Sequence, residues 1–237
     1  MLNNTHPSWK RVLENSIGSL DKDYLNFLTT SDSYFPDKDN LFNSFKTLSL
    51  DDTKYILFGQ DPYPRKKSAI GYAFIDAKVE SLFSSEGGLS KEVNKATSLR
   101  NMMKMFLLCE GELKDDFSKD AIKKIDNSKY INSIMELKDN FEKNGVLLLN
   151  SALIFTKKED SKYHAKMWKS FVNTLLKELK NRNIKLLLFG NISKEIDKLD
   201  SSKGFEKVLV PHPYNVSFIT DEKVLEVFCP MRLLEKG

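Results

Sequence analysis

At 237 residues, with 41% apolar and 30% charged side chains, the chain is long enough to bury a sizeable core and too apolar to be a disordered one. Its net charge of +4 permits a polyanionic partner without demanding one. No apolar run reaches the roughly 20 residues of a membrane span, and the three histidines are too scattered for a metal cluster. Cys109 and Cys229 show no metal-ligand spacing. With no secretory signal they read as buried or incidental thiols in a reducing compartment. From Trp9 to about Phe45 the apolar residues recur at helical spacing (Val12, Leu13, Leu20, Tyr24, Leu25, Phe27, Leu28). Tyr34-Phe35-Pro36 marks a break, and a short helix is predicted around Leu41–Phe45.

Four short apolar runs follow: Tyr55–Phe58, Val146–Leu149, Ile184–Phe189 and Val208–Val210. Unbroken runs of this length suit strands buried on both faces of a parallel sheet. Amphipathic stretches separate them, roughly from Ser98 to Leu108, Tyr130 to Phe141 and Lys166 to Leu179. The alternation predicts an α/β layered fold with right-handed crossovers. No repeat or Pro/Gly-rich linker divides the chain, which reads as a single domain over 1–237.

Three of the four runs end in a polar group of catalytic type: Asp61, Asn150 and His212. The third ends in Gly190-Asn191. Parallel strands place their carboxyl ends on one edge, where open α/β sheets carry their chemistry. The sharpest of these endings is Gly59-Gln60-Asp61-Pro62-Tyr63. Pro62 fixes its own φ and pushes Asp61 out of the helical region, so the carboxylate is held. An Asp-Pro turn alone would be ordinary; the five-residue string is more specific.

That string resembles the water-activating loop of the family 1 uracil-DNA glycosylases, and the resemblance extends along nearly the whole chain. It runs from Pro7-Ser8-Trp9-Lys10 through Phe42-Asn43-Ser44-Phe45, Gly71-Tyr72-Ala73-Phe74 and Ser98-Leu99-Arg100-Asn101. It continues through Gly145-Val146-Leu147-Leu148-Leu149-Asn150, then His164 with Trp168, and finally His212-Pro213. The resemblance implies a three-layer α/β/α fold around a central four-stranded parallel sheet. It also implies hydrolysis of the N-glycosidic bond of deoxyuridine in DNA, with the base extruded from the stack.

The residue roles are carried over the same way. Asp61 matches the family's catalytic aspartate, which positions and activates water and offsets positive charge on the sugar. His212 matches the catalytic histidine, a neutral donor to the uracil oxygen. Asn150 matches the base-reading asparagine, whose amide suits the adjacent carbonyl and N–H of uracil. Phe74 matches the stacking aromatic, Tyr63 the steric filter against the thymine methyl, and Gln60 lines the pocket. Asp61, His212, Asn150 and Phe74 also have ordinary structural readings: a turn Asp, a satisfied His, a capping Asn, a core Phe. The resemblance implies no metal and no cofactor, a monomer, uracil-containing DNA as partner, and a cytoplasmic place, or a nuclear one in a eukaryote.

Departures from the family cluster in the DNA-facing loops. Pro64 stands where most members have His, and Arg65-Lys66-Lys67-Ser68 replaces a Gly-Pro-rich stretch. The three cations are candidate phosphate contacts, with a solvated loop as the alternative. Ser98 remains a candidate phosphate ligand, although Ala96-Thr97 replaces the usual proline pair. The intercalation loop reads His212-Pro213-Tyr214-Asn215-Val216-Ser217-Phe218. Val216 aligns with the wedge leucine, and Tyr214, Ser217 and Phe218 are candidate DNA contacts, the aromatics by stacking. The altered loops leave one alternative function: a glycosylase-fold DNA-binding module with weak or lost catalysis.

Overall fold

The computed structural model of the chain describes residues 2–236. In chain order it contains α1 (Lys10–Gly18), α2 (Lys22–Thr30), β1 (Tyr55–Gly59), α3 (Lys91–Lys95), α4 (Thr97–Cys109), α5 (Lys119–Lys123), α6 (Ile134–Lys143), β2 (Val146–Asn150), α7 (Ser161–Leu179), β3 (Lys185–Phe189), α8 (Ile192–Asp197), β4 (Glu206–Val210) and α9 (Glu222–Phe228), with short 3-10 turns between them. The strands form one parallel sheet in the order β2-β1-β3-β4, as the alternation of apolar runs and amphipathic stretches predicts. β1 is central, with Gly59 opposite Asn150 and Phe58 opposite both Leu149 and Leu188. No helix among the described residues is long and apolar enough to cross a membrane.

β1, β2 and β3 are buried along nearly their whole length, which is why their sequences are continuous apolar runs. β4 is different. It starts at Glu206, two residues before its apolar run, and Leu209 is 48% exposed. It is the end strand of the sheet, and a strand with a neighbour on one side only needs no unbroken apolar run. Helices α3, α5, α8 and α9 span only five to seven residues. Such lengths give 3.6-residue periodicity too few turns to register. The helix expected around Leu41–Phe45 is a 3-10 turn over Asn43–Phe45.

Two compact units divide the chain. The first comprises the residues up to Asp76 together with Gly145–Val208; the second comprises Ala77–Asn144 together with the chain from Leu209. In the first, α1 packs on α7, and Trp9, Phe45, Phe58, Trp168 and Phe171 are fully buried around them. Trp9 satisfies its indole N–H on the carbonyl of Leu48 at 2.9 Å, so the ring is buried without an orphaned donor.

In the second unit α4 is the spine. It buries Met102, Met103, Met105, Phe106 and Leu107, and it packs against the Val216–Thr220 turn and α9. Phe106, Phe141 and Phe228 meet edge to face with centroids 6.1 to 6.4 Å apart. Helix α6 starts later than its amphipathic pattern because Ser133 and Glu136 form a capping box there. Cys109 and Cys229 are joined in a disulfide, which overturns the expectation of two unpaired thiols. The pairing depends on where α4 and α9 end, a meeting 120 residues apart in sequence that no local pattern announces.

Candidate active site

The carboxyl ends of β1 and β2 are stitched together beyond the last ladder residues. The Ser151 N–H donates to the Gly59 carbonyl at 2.9 Å, and the Ala152 N–H donates to the Gln60 carbonyl at 3.0 Å. The Ser151 hydroxyl also donates to the Gln60 carbonyl, at 2.9 Å. These bonds hold the two strand ends side by side, with Asn150 directly across from Gly59. A β-carbon at Gly59 would stand 2.3 Å from Asn150 Oδ1 and 2.9 Å from the Ala73 β-carbon. Gly59 therefore leaves the space into which the Asn150 side chain folds. Asn150 is 5% exposed, so an unpaired amide group there would carry a desolvation cost of about 1–3 kcal/mol.

Asp61 follows, half-buried. Burial pushes its carboxyl above the ordinary carboxylate range, against a hydrogen bond with the Ser161 side chain, one from its own backbone and the nearby His164. Ser161 is the first residue of α7. No local pattern in the sequence marks Ser161, because nothing in its neighbourhood links it to a loop 100 residues earlier. His164 sits one turn further along and is 3% exposed. Its Nδ1 lies 2.8 Å from the Tyr24 hydroxyl and its Nε2 lies 2.9 Å from the Thr156 hydroxyl. The Thr156 hydroxyl donates to Asp160, so Nε2–H donates to Thr156 and Nδ1 accepts from Tyr24. A neutral ring satisfies both contacts, and burial lowers its pKa in the same sense.

Phe74 adopts φ +63°, a left-handed conformation that a bulky residue rarely takes. Its ring lies 5.4 Å from that of Phe189, at the end of β3. The Ala73 N–H donates to the Leu148 carbonyl at 3.1 Å, which docks this segment on β2 two residues before Asn150. Tyr63 is half-buried, and burial raises its phenol pKa, with Asp76 adding to the effect and Arg65 opposing it. Arg65 donates to Asp76 Oδ2 and to the Ser68 hydroxyl, both at 3.1 Å. That pair closes the loop running from Asp61 past Phe74. Of the three loop cations, Arg65 thus has an internal carboxylate partner. Lys66 lines a cavity of about 240 Å³ with Ser31, Asp32, Tyr34, Phe35, Asp37 and Lys38, and Lys67 is exposed.

His212 and the candidate intercalation loop belong to the second unit. His212 Nδ1 accepts the Tyr214 N–H at 3.1 Å, so the neutral ring carries its proton on Nε2. Burial lowers its pKa, which favours that neutral form. Asn101, buried on α4, donates to the Pro213 carbonyl at 2.7 Å and grips the loop from below. Ser98, half-buried, occupies the first turn of the same helix. Tyr214 and Val216 are 66% and 74% exposed, and Ser217 is exposed. Phe218 is fully buried, which corrects its reading as a base-stacking residue. It is a core anchor of the loop, and Tyr214 is the loop's exposed aromatic.

No protein-family model matches the chain. The uracil-DNA glycosylase of Clostridioides difficile (strain 630) is 31% identical over 186 residues, 77% of this chain and 69% of that protein. That of Amoebophilus asiaticus (strain 5a2) is 28% identical over 222 residues, 89% of this chain and 86% of that protein. Among solved structures, the wild-type UNG of Nitratifractor salsuginis superposes with a TM-score of 0.96 at 45% identity, covering 100% of this chain and 95% of that one. The mimivirus uracil-DNA glycosylase, at 20% identity and a TM-score of 0.56, shares the fold. The sheet and these relatives define an α/β enzyme of the DNA glycosylase type. The chain belongs to the uracil-DNA glycosylases.

Proposed function

We propose that the protein is a monofunctional family 1 uracil-DNA glycosylase. It hydrolyses the N-glycosidic bond of deoxyuridine in DNA, releasing uracil and leaving an abasic site. The observation that carries this reading is Asn150, folded over Gly59 at the end of β2, together with Phe74 at φ +63° in a segment that docks on the same strand through Ala73. A buried amide together with a constrained ring suits a flipped base, read on its edge and stacked on its face.

In this mechanism the C1′–N1 bond breaks with its electron pair leaving on uracil, and water adds to C1′. Asp61 accepts the water proton and offsets positive charge on the sugar. Its raised pKa makes it a better base than an exposed aspartate. His212, neutral and protonated on Nε2, donates to the uracil oxygen as negative charge grows there. Asn150 selects uracil because cytosine presents a different edge and would leave buried polar groups unpaired. Tyr63 occupies the place of a thymine methyl, and Gln60 lines the pocket. Ser98, Lys67, Tyr214, Val216 and Ser217 contact DNA, with Lys66 and Arg65 as secondary contributors. The whole chain serves as one monomeric glycosylase-like domain, without metal or cofactor. It works where its DNA is, in the cytoplasm or a eukaryotic nucleus.

The test is uracil release from single- and double-stranded oligonucleotides carrying one deoxyuridine. Asp61→Asn is expected to slow release by about 10²–10⁴-fold while DNA binding persists. DNA binding without any uracil release by the wild type would leave a binding module in place of the enzyme.

A further inference from the structure

The residue that couples the two walls of this pocket lies outside it. Ser44 is 3% exposed, in the 3-10 turn Asn43–Phe45. Its Oγ stands 2.6 Å from the Gly71 carbonyl oxygen and 2.6 Å from the Leu148 carbonyl oxygen. Leu148 is two residues before Asn150 on β2, and Gly71 is three residues before Phe74. One hydroxyl proton therefore bridges the strand that carries the amide and the turn that carries the ring. The neighbouring Asn43 adds a second anchor, its Nδ2 donating to the Ile70 carbonyl at 3.0 Å and to Asn40 Oδ1 at 2.7 Å. Gly71 itself, at φ +88°, lies so close to this segment that a β-carbon there would stand 2.1 Å from the Asn40 carbonyl oxygen.

We infer that Ser44 is a positioning residue for the uracil pocket, setting the gap between the Asn150 edge and the Phe74 face. The inference rests on the glycosylase reading proposed above. The physical reason is specific to a hydroxyl. With its proton present, two carbonyl oxygens are drawn toward one donor. With alanine there, the buried Leu148 carbonyl oxygen and the partly buried Gly71 carbonyl oxygen face a methyl group and each other's partial negative charge. The remaining Ala73–Leu148 and Asn43–Ile70 bonds do not hold the Gly71 carbonyl itself, so the turn shifts outward at Gly71 and takes Phe74 with it. A misplacement of about 1 Å at a reacting centre is enough to cost on the order of 10²-fold in rate.

The experiment compares wild type, Ser44→Ala and Ser16→Ala. Ser16 is a matched control: it is equally buried, and its hydroxyl donates to the Val12 carbonyl at 2.7 Å within α1, away from the pocket. Ser44→Ala is expected to lower kcat by roughly 10–100-fold and to raise the inhibition constant of free uracil by a similar factor. KM for the oligonucleotide should change by less than about threefold, since backbone phosphates are bound elsewhere. Ser16→Ala should keep both pocket readouts. Should Ser44→Ala not fold, Asn43→Ala, which removes the Ile70 anchor, is expected to raise the uracil constant in the same direction. Wild-type kcat and uracil inhibition in Ser44→Ala, equal losses in Ser44→Ala and Ser16→Ala, or an unchanged uracil constant in Asn43→Ala beside an unfolded Ser44→Ala would each overturn the inference alone. A wild-type protein that releases no uracil would overturn the glycosylase reading and this inference with it.

Discussion

Asp61 is a residue whose usefulness and whose cost have one source. Burial raises its pKa, so the ionised form that accepts a proton in the proposed mechanism is also the form the fold disfavours. The sign follows from linkage. A carboxyl whose folded pKa lies above its unfolded value binds protons preferentially in the folded state. Its contribution to stability is present at low pH and is lost as pH rises through the raised folded value. At neutral pH the Asp61 carboxylate is therefore a net burden on the fold. Asp61→Asn should melt no lower than wild type at pH 7, and any gain should vanish below the ordinary carboxylate pKa. A melting temperature several degrees lower at pH 7 would contradict this. The wild-type rate should fall on the acid side at a pH above that of an exposed aspartate, and burial moves the protonation of His212 to lower pH than that of an exposed histidine. Asn150→Asp tests base reading: cytosine release should become measurable, and unchanged selectivity would make Asn150 structural.

Among elements, the loop from Gln60 to Asp76 does more than connect. It is closed by Arg65 and Asp76, docked on β2 through Ala73, and held by Ser44 and Asn43 at its far side. Phe74 pays for its left-handed backbone, a strain of order 1–3 kcal/mol, through these attachments. At the start of this loop Gly59 is closely enclosed, because a β-carbon there would stand 2.3 Å from Asn150 Oδ1. Gly59→Ala should fold, since β1 is well paired on both sides, but it should displace the amide. We expect uracil release to fall by about 10²-fold or more, with a stability loss of roughly 1–3 kcal/mol for the overpacking. Full activity in a folded Gly59→Ala would mean the amide is free to rotate away.

At the scale of the molecule, the Cys109–Cys229 disulfide ties the end of α4 to the segment after α9. Both helices belong to the unit that carries His212 and the exposed Tyr214. Closing so long a stretch of chain restricts the unfolded ensemble and is worth about 2–4 kcal/mol. Reductant, or Cys109→Ser, should therefore lower the denaturant midpoint by a corresponding amount. Identical midpoints with and without reductant would show that the bond contributes nothing. The modest net charge of +4 fits a partner with a phosphate backbone, so uracil release should weaken as salt rises.

The sequence by itself determined the sheet and the polar residues that stand at its edge. Continuous apolar runs can be satisfied only where both faces are covered, so β1, β2 and β3 were legible, as were the polar residues that end them. Family resemblance then attached roles to Asp61, Asn150, Phe74, Tyr63 and His212. Tertiary structure decided everything that depends on residues distant in the chain. The Asp61–Ser161 contact, the Ser44 bridge, the Arg65–Asp76 pair and the disulfide join positions from 11 to 120 apart, and hydrogen bonds leave no periodic trace. The left-handed backbone of Phe74 is likewise imposed by its attachments, since an isolated phenylalanine would avoid it. Burial separated Phe218 from Tyr214, two aromatics four residues apart in one loop that composition could not rank.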